Sequence, residues 1–137
     1  MYNIPQVTGV WIPWWVAEGL GKEISNIVGI KDSSGSMPYM MTLIEKLYGV
    51  ISIICGYDEI AMAALASGAD GLILASANVI PDVWVEIYDA VKNRRDLDHA
   101  RELHRKYQTL LRFIARFGGP LAVKRALWLM GLDVGYV

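Results

Sequence analysis

The chain has 137 residues, 54% of them hydrophobic and 20% charged, with a formal net charge of −1. That length suits one domain with a sizeable core. The near-neutral balance argues against a nucleic-acid surface, no apolar run reaches the length of a membrane span, and the lone Cys55 excludes an internal disulfide framework.

A reducing, cytoplasmic setting is therefore expected. The hydrophobic share exceeds the ordinary soluble range. Such an excess points to a larger interface, a missing partner segment or an oligomer.

Met1 is followed at once by Tyr2-Asn3-Ile4-Pro5, with no polar lead-in and no cap, as in a chain cut inside a strand or loop. Pro5 and Pro13 bracket the next stretch and forbid regular helix there. Trp11, Trp14 and Trp15 read as packing or oligomer contacts rather than a ligand box. Trp14 to Leu20 is expected to form one or two helical turns, ended by Gly19 and Gly21.

Asn26 to Lys31 is rich in β-branched residues and reads as a buried, parallel-type strand. It closes on Lys31 and an Asp32-Ser33-Ser34-Gly35 loop. A lysine at the end of a buried run must be paired, neutral or covalently used. Held in an apolar mouth, a neutral amine can attack a carbonyl and form a Schiff base. The same stretch also fits a plain strand end whose lysine snorkels out to water.

Met37 to Tyr48 has helical spacing, with Ser36 as N-cap and Pro38 in the first turn. Val50 to Cys55 is the next buried strand, and it ends in the polar loop Gly56-Tyr57-Asp58-Glu59. Ile60 to Ser67 reads as a short helix, Gly71 to Ala75 as a third strand, and Asp82 to Lys92 as another helix. Strands alternating with helices mean βαβ units and a parallel sheet. Lys31, the Asp58/Glu59 pair and Ser76/Asn78 all follow strand C-terminal ends. In a TIM-type barrel that rim is where chemistry occurs.

The last third differs. Arg94 to Phe117 is a long amphipathic helix, and Leu121 to Met130 forms a final one after Gly118-Gly119-Pro120. His99 and His104 are five apart with no acidic cluster, so no metal site is expected. The expected organisation is half-barrel βα units over 1–93 and a helical extension over 94–137. No Gly-x-Gly-x-x-Gly or Gly-Lys-Ser/Thr run supports a nucleotide binder.

Five motifs occur in order: Tyr-Asn-Ile-Pro (2–5), Val-Gly-Ile-Lys-Asp-Ser-Ser-Gly (28–35), Gly-Tyr-Asp-Glu (56–59), Gly-Ala-Asp-Gly (68–71) and Gly-Gly-Pro (118–120). With them the chain resembles the C-terminal half of the dihydrodipicolinate synthase/N-acetylneuraminate lyase family, Schiff-base class I aldolases on a (β/α)8 TIM barrel. The resemblance implies an α/β fold made of the barrel's fifth to eighth strands plus C-terminal helices. It implies that Lys31 attacks the keto carbon of pyruvate or another 2-keto acid, and that Tyr2 shuttles protons. Gly56, Asp58 and Glu59 would line the end of the site that takes the second substrate, an aldehyde, and the main chain near Ile73 would lie beside the pyruvate unit. The chemistry needs no cofactor, because a protonated imine is itself the electron sink.

The sequence departs from that family in three places. Val7 stands where the synthases usually carry a carboxylate-binding arginine, which favours a sugar-acid aldolase. Leu74-Ala75 replaces the serine or glycine often found at the strand-eight rim. No Gly-Thr-Thr-Gly-like run is present to hold a pyruvate carboxylate, and the first four strands are absent. Half a barrel exposes strand edges and an inner face. The expected partners are therefore a second copy or a complementing first half-barrel. The two readings are an aldolase or lyase completed by that half, and a catalytically inactive half-barrel acting in assembly.

Overall fold

The computed structural model describes residues 1–135 and resolves into two compact units, Met1–Ile73 and the residues from Leu74 onward. In the first unit, β1 (Tyr2–Asn3), β2 (Gly29–Asp32), β3 (Ser52–Cys55) and β4 (Gly71–Leu72) form one parallel sheet in the order β1-β2-β3-β4. Sequential order in a parallel sheet requires a crossover between each pair. The crossovers are α1 (Pro5–Thr8) with α2 (Trp14–Glu23), then α3 (Met37–Leu47), then α4 (Ala61–Ser67). This is the βα succession of a partial TIM barrel.

The register sorts the side chains by face. Tyr2 pairs with Lys31, Lys31 with Ile54, and Ile54 with Gly71, so these positions share one face. Asn3, Asp32 and Cys55 form the adjacent row, and all three are fully buried with Ile30 against the helix layer. Met40, Leu43 and Leu47 of α3 and Ala61, Ala64 and Leu65 of α4 complete that core. The Ser36 side chain accepts from the Tyr39 amide and caps α3, as its position before Met37-Pro38 predicts.

Three elements differ from expectation. A one-turn helix, α1, starts at Pro5, because a proline at the first helical position loses no intrahelical bond. α2 continues through Gly19 and Gly21 to Glu23. The third expected strand, Gly71 to Ala75, is ladder-paired only at Gly71–Leu72, and Ser76–Asn78 turns at once into a 3-10 helix.

The second unit contains α5 (Pro81–Asp89), a π-helical segment at Ala90–Arg94, α6 (Leu97–Arg116) and α7 (Pro120–Leu129). Val79, Ile114, Ala122 and Val123 form its buried centre, with Ala75, Ile80, Leu110, Ala126 and Leu127 packed around them. The boundary expected at 93/94 falls inside this unit. Glu86 on α5 accepts from Arg94, and its carboxylate lies 2.8 Å from His99 Nε2. These bonds tie the residues on both sides of position 93 together. Among the described residues no helix is long and apolar enough to cross a membrane.

Candidate active site

The site begins with the two residues of β1. Their pairing with β2 sets Tyr2 beside Lys31, and the Lys31 Nζ lies 4.3 Å from the centroid of the Tyr2 ring. Tyr2 is 47% exposed, so the phenol and the amine share a face open to a ligand. Lys31 itself is half-buried at the C-terminal end of its strand.

The loop after Lys31 adds a third group. Ser33 is buried, and its hydroxyl donates to the Gly56 carbonyl at 2.9 Å. The same oxygen lies 3.4 Å from the Tyr2 hydroxyl. The Ser33 amide donates to the Asn3 carbonyl at 2.8 Å, and the Gln6 side chain donates to the Ser33 carbonyl at 2.7 Å. Ser33 is thereby anchored to the ends of β1 and β3 at once.

Gly56 lies where β3 leaves the sheet, its amide donating to the Asp32 carbonyl at 2.7 Å. A Cβ there would stand 2.2 Å from Ser33 Oγ and 2.6 Å from Lys31 Cε. The absence of a side chain makes room for the lysine stem. The Ile73 amide donates to the Cys55 carbonyl at 3.0 Å, which fixes the backbone just past β4 at the same rim. Tyr2, Lys31, Gly56 and Ile73 are thus held by one continuous set of strand ends.

Asp58 and Glu59 sit on the 3-10 turn Asp58–Ile60 that leads into α4. Asp58 is buried and Glu59 half-buried. Carboxylates at the N-terminal end of a helical turn are favoured by its dipole. Ser76 and Asn78, the other rim positions, have structural partners in the second unit. Ser76 Oγ accepts from Trp84 Nε1 at 2.7 Å, and Asn78 Nδ2 donates to the Ala75 carbonyl at 3.0 Å.

Beneath the rim lies a buried polar row. Asn3 Nδ2 donates to Asp32 Oδ1 at 2.7 Å, and Asn3 Oδ1 accepts from the Ile12 amide at 3.0 Å. Ser34 Oγ donates to Asp32 Oδ2 at 2.9 Å. Burial pushes the Asp32 carboxyl above its usual range, although the bonds from Asn3 and Ser34 oppose the shift. Burial, reinforced by the charge on Asp32, pushes the Tyr39 phenol up to about 12, and its hydroxyl donates to the Ile12 carbonyl. Burial also pushes the Cys55 thiol up to about 11. Ser33, Asn3 and Asp32 were not expected as site residues. The available signal was a set of polar residues inside or beside apolar strands, where each needs a partner.

The tryptophan-rich segment packs in part: Trp11 meets Tyr39 edge-on at 4.8 Å between centroids. His99 pairs with Glu86, while His104 Nδ1 lies 3.3 Å from Gln108. Among the described residues no three of His, Cys, Asp and Glu gather as metal ligands would.

Comparison with known proteins decides the family. The model of the dihydrodipicolinate synthetase family matches residues 1–137. The chain belongs to the dihydrodipicolinate synthetase family. It is 36% identical over 132 residues to a 4-hydroxy-tetrahydrodipicolinate synthase of Methanopyrus kandleri, covering 96% of this chain and 44% of that protein. The crystal structure of the chloride-inhibited dihydrodipicolinate synthase from Acinetobacter baumannii complexed with pyruvate matches with a TM-score of 0.91. Its identity is 36%, over 99% of this chain and 46% of that one. The N-acetylneuraminate lyase of Fusobacterium nucleatum matches with a TM-score of 0.82 and 27% identity, over 99% of this chain and 46% of the lyase. The family chain described here spans about half the length of the relatives it matches.

Proposed function

We propose that this member of the dihydrodipicolinate synthetase family takes part in a lyase or aldolase reaction in which Lys31 forms an imine with pyruvate or another 2-keto acid. The observation that carries the reading is the Lys31 amine 4.3 Å from the Tyr2 ring, at paired ends of adjacent parallel strands. The pyruvate complex of the Acinetobacter baumannii relative supports the choice of keto acid.

The deprotonated Lys31 nitrogen attacks the keto carbon. A C–N bond forms, and the carbonyl electron pair moves to oxygen, which takes a proton. The carbinolamine then expels that oxygen as water and becomes a protonated imine. In cleavage the imine accepts the electron pair of the C–C bond one carbon out from the imine carbon, which leaves an enamine and releases the aldehyde. In condensation the imine loses a proton from that neighbouring carbon to give the enamine that attacks an aldehyde. Tyr2 is the group placed to give and take protons at these oxygens. Gly56 and the Ile73 main chain flank the keto acid, and Asp58 and Glu59 address a hydroxylated aldehyde. Val7, in the position of the synthase arginine, is 75% exposed and offers no cation to a carboxylate. That favours a hydroxylated aldehyde without a carboxylate, the partner of a sugar-acid aldolase, over the synthase reaction.

Four strands do not close a barrel. The proposed activity therefore includes completing strands, supplied by a further stretch of the same protein or by another chain.

The test is reduction with borohydride in the presence of pyruvate, followed by peptide mapping of protein that retains its native circular dichroism. The expected result is a reduced pyruvyl adduct on Lys31. An adduct confined to another lysine, or none at all, overturns the reading.

A further inference from the structure

We infer that the buried Asn3–Asp32 hydrogen bond is a register lock that holds the Tyr2 phenol against the Lys31 amine, which makes Asn3 and Asp32 positioning residues. The inference rests on the imine reading of Lys31 and Tyr2.

β1 is only two residues long. Its ladder to β2 is correspondingly short: Lys31 N donates to the Met1 carbonyl at 3.0 Å, and Ser33 N donates to the Asn3 carbonyl at 2.8 Å. Slipping a strand by one residue moves every side chain to the opposite face. Such a slip here would drive Tyr2 into the buried row and turn Asn3 outward. So short a ladder needs a further determinant of register.

The side chains one position beyond Tyr2 and Lys31 supply it. Asn3 and Asp32 are register partners, both fully buried, and joined at 2.7 Å across a separation of 29 positions. Each is held from behind as well. Asn3 Oδ1 accepts from the Ile12 amide, and Asp32 Oδ2 accepts from Ser34 Oγ. A slipped β1 would leave a buried carboxylate without its Asn3 donor, a costly state at low dielectric. The lock thus acts on the reaction through the backbone, from the opposite face of the sheet.

Two variants of the full chain test this, each made alone and in a Tyr2→Phe background: Asn3→Ala, which deletes the bond, and the exchange Asn3→Asp with Asp32→Asn, which rebuilds it with the donor on the other strand. The readout is the rate of pyruvate imine formation, quenched with borohydride. Misplacing a reacting group by about 1 Å costs on the order of 100-fold. Asn3→Ala should slow imine formation by about that factor when Tyr2 is present. It should add little when the phenol hydroxyl is already gone. The exchange should recover a rate within about tenfold of the unmodified protein, or ~1.4 kcal/mol.

Equal slowing in both backgrounds makes the pair a general structural element and overturns the inference. So does an exchange variant as slow as Asn3→Ala, or loss of cooperative unfolding in either variant. Absence of any Lys31 adduct in the unmodified protein is a different result: it sinks the imine reading itself, before any variant is compared.

Discussion

The Lys31 side chain runs past Gly56 so closely that a Cβ on the glycine would lie 2.6 Å from Lys31 Cε. The same Cβ would lie 2.2 Å from Ser33 Oγ, whose hydrogen bond goes to the carbonyl of that very glycine. Ser33 cannot swing aside without giving up that bond. Gly56→Ala should therefore displace the amine and destabilise the unit by about 1–3 kcal/mol, the usual cost of overpacking. A lowered urea midpoint together with slower borohydride trapping is the expected pair of results. An unchanged midpoint would show that the lysine stem moves freely.

Lys31 and Tyr2 should separate cleanly by mutation. Lys31→Ala should gain no pyruvyl adduct. Tyr2→Phe keeps the ring beneath the amine but removes the proton-transferring hydroxyl. Its adduct should still form, about 10²–10⁴-fold more slowly, the range of one general acid–base group. Ser33→Ala should give a smaller loss, about tenfold, because the phenol keeps its proton but loses the neighbour 3.4 Å away. Quench-flow trapping with mass spectrometry ranks the three. Adduct formation in Lys31→Ala would move the imine elsewhere.

The strand–helix alternation was legible because apolar runs broken by glycines carry their own punctuation, as at Val50–Cys55 and Gly68–Gly71. Lys31 stood out because a charge at the end of a buried run demands an explanation. Tyr2 was found only through the family resemblance, since nothing local marks a phenol two residues into a chain. Ser33, Asn3 and Asp32 escaped for a different reason. The bonds that join them across the strands span 23 to 31 positions and exist only once the strands take their register. The ends of β4 and α2 were misread because ladder pairing and helix continuation there are decided by tertiary contacts rather than propensity.

Two buried groups predict pH effects of the same sign in different pH ranges. Asp32 has a folded pKa above its ordinary 3.8, so its contribution to stability is full below 3.8 and is lost as pH rises through the folded value. The unmodified protein should therefore gain on Asp32→Asn as pH falls toward 3.8, measured by urea titration at a series of pH values. Cys55, shifted from 9.0 to about 11, should contribute stability that fades as pH rises from 9 through 11. Its thiol should also resist iodoacetamide at pH 8 until the protein unfolds. Rapid alkylation of the native chain would contradict its burial.

Gly19 and Gly21 should respond in opposite directions to the same substitution. Both lie inside α2, where glycine costs about 0.5–1 kcal/mol relative to alanine. A Cβ at Gly19 would meet nothing within 4 Å, so Gly19→Ala should stabilise by about that amount. A Cβ at Gly21 would lie 2.7 Å from Ile51 Cγ2 and 3.4 Å from Val50 Cγ1. Ile51 is buried and its Cγ2 is fixed close to the backbone, so the helix itself would have to move. Gly21→Ala should then lose about 1–3 kcal/mol despite its better helix propensity. Thermal unfolding of the two variants side by side checks the sign. A rise in both midpoints would mean that α2 does not press on the start of β3.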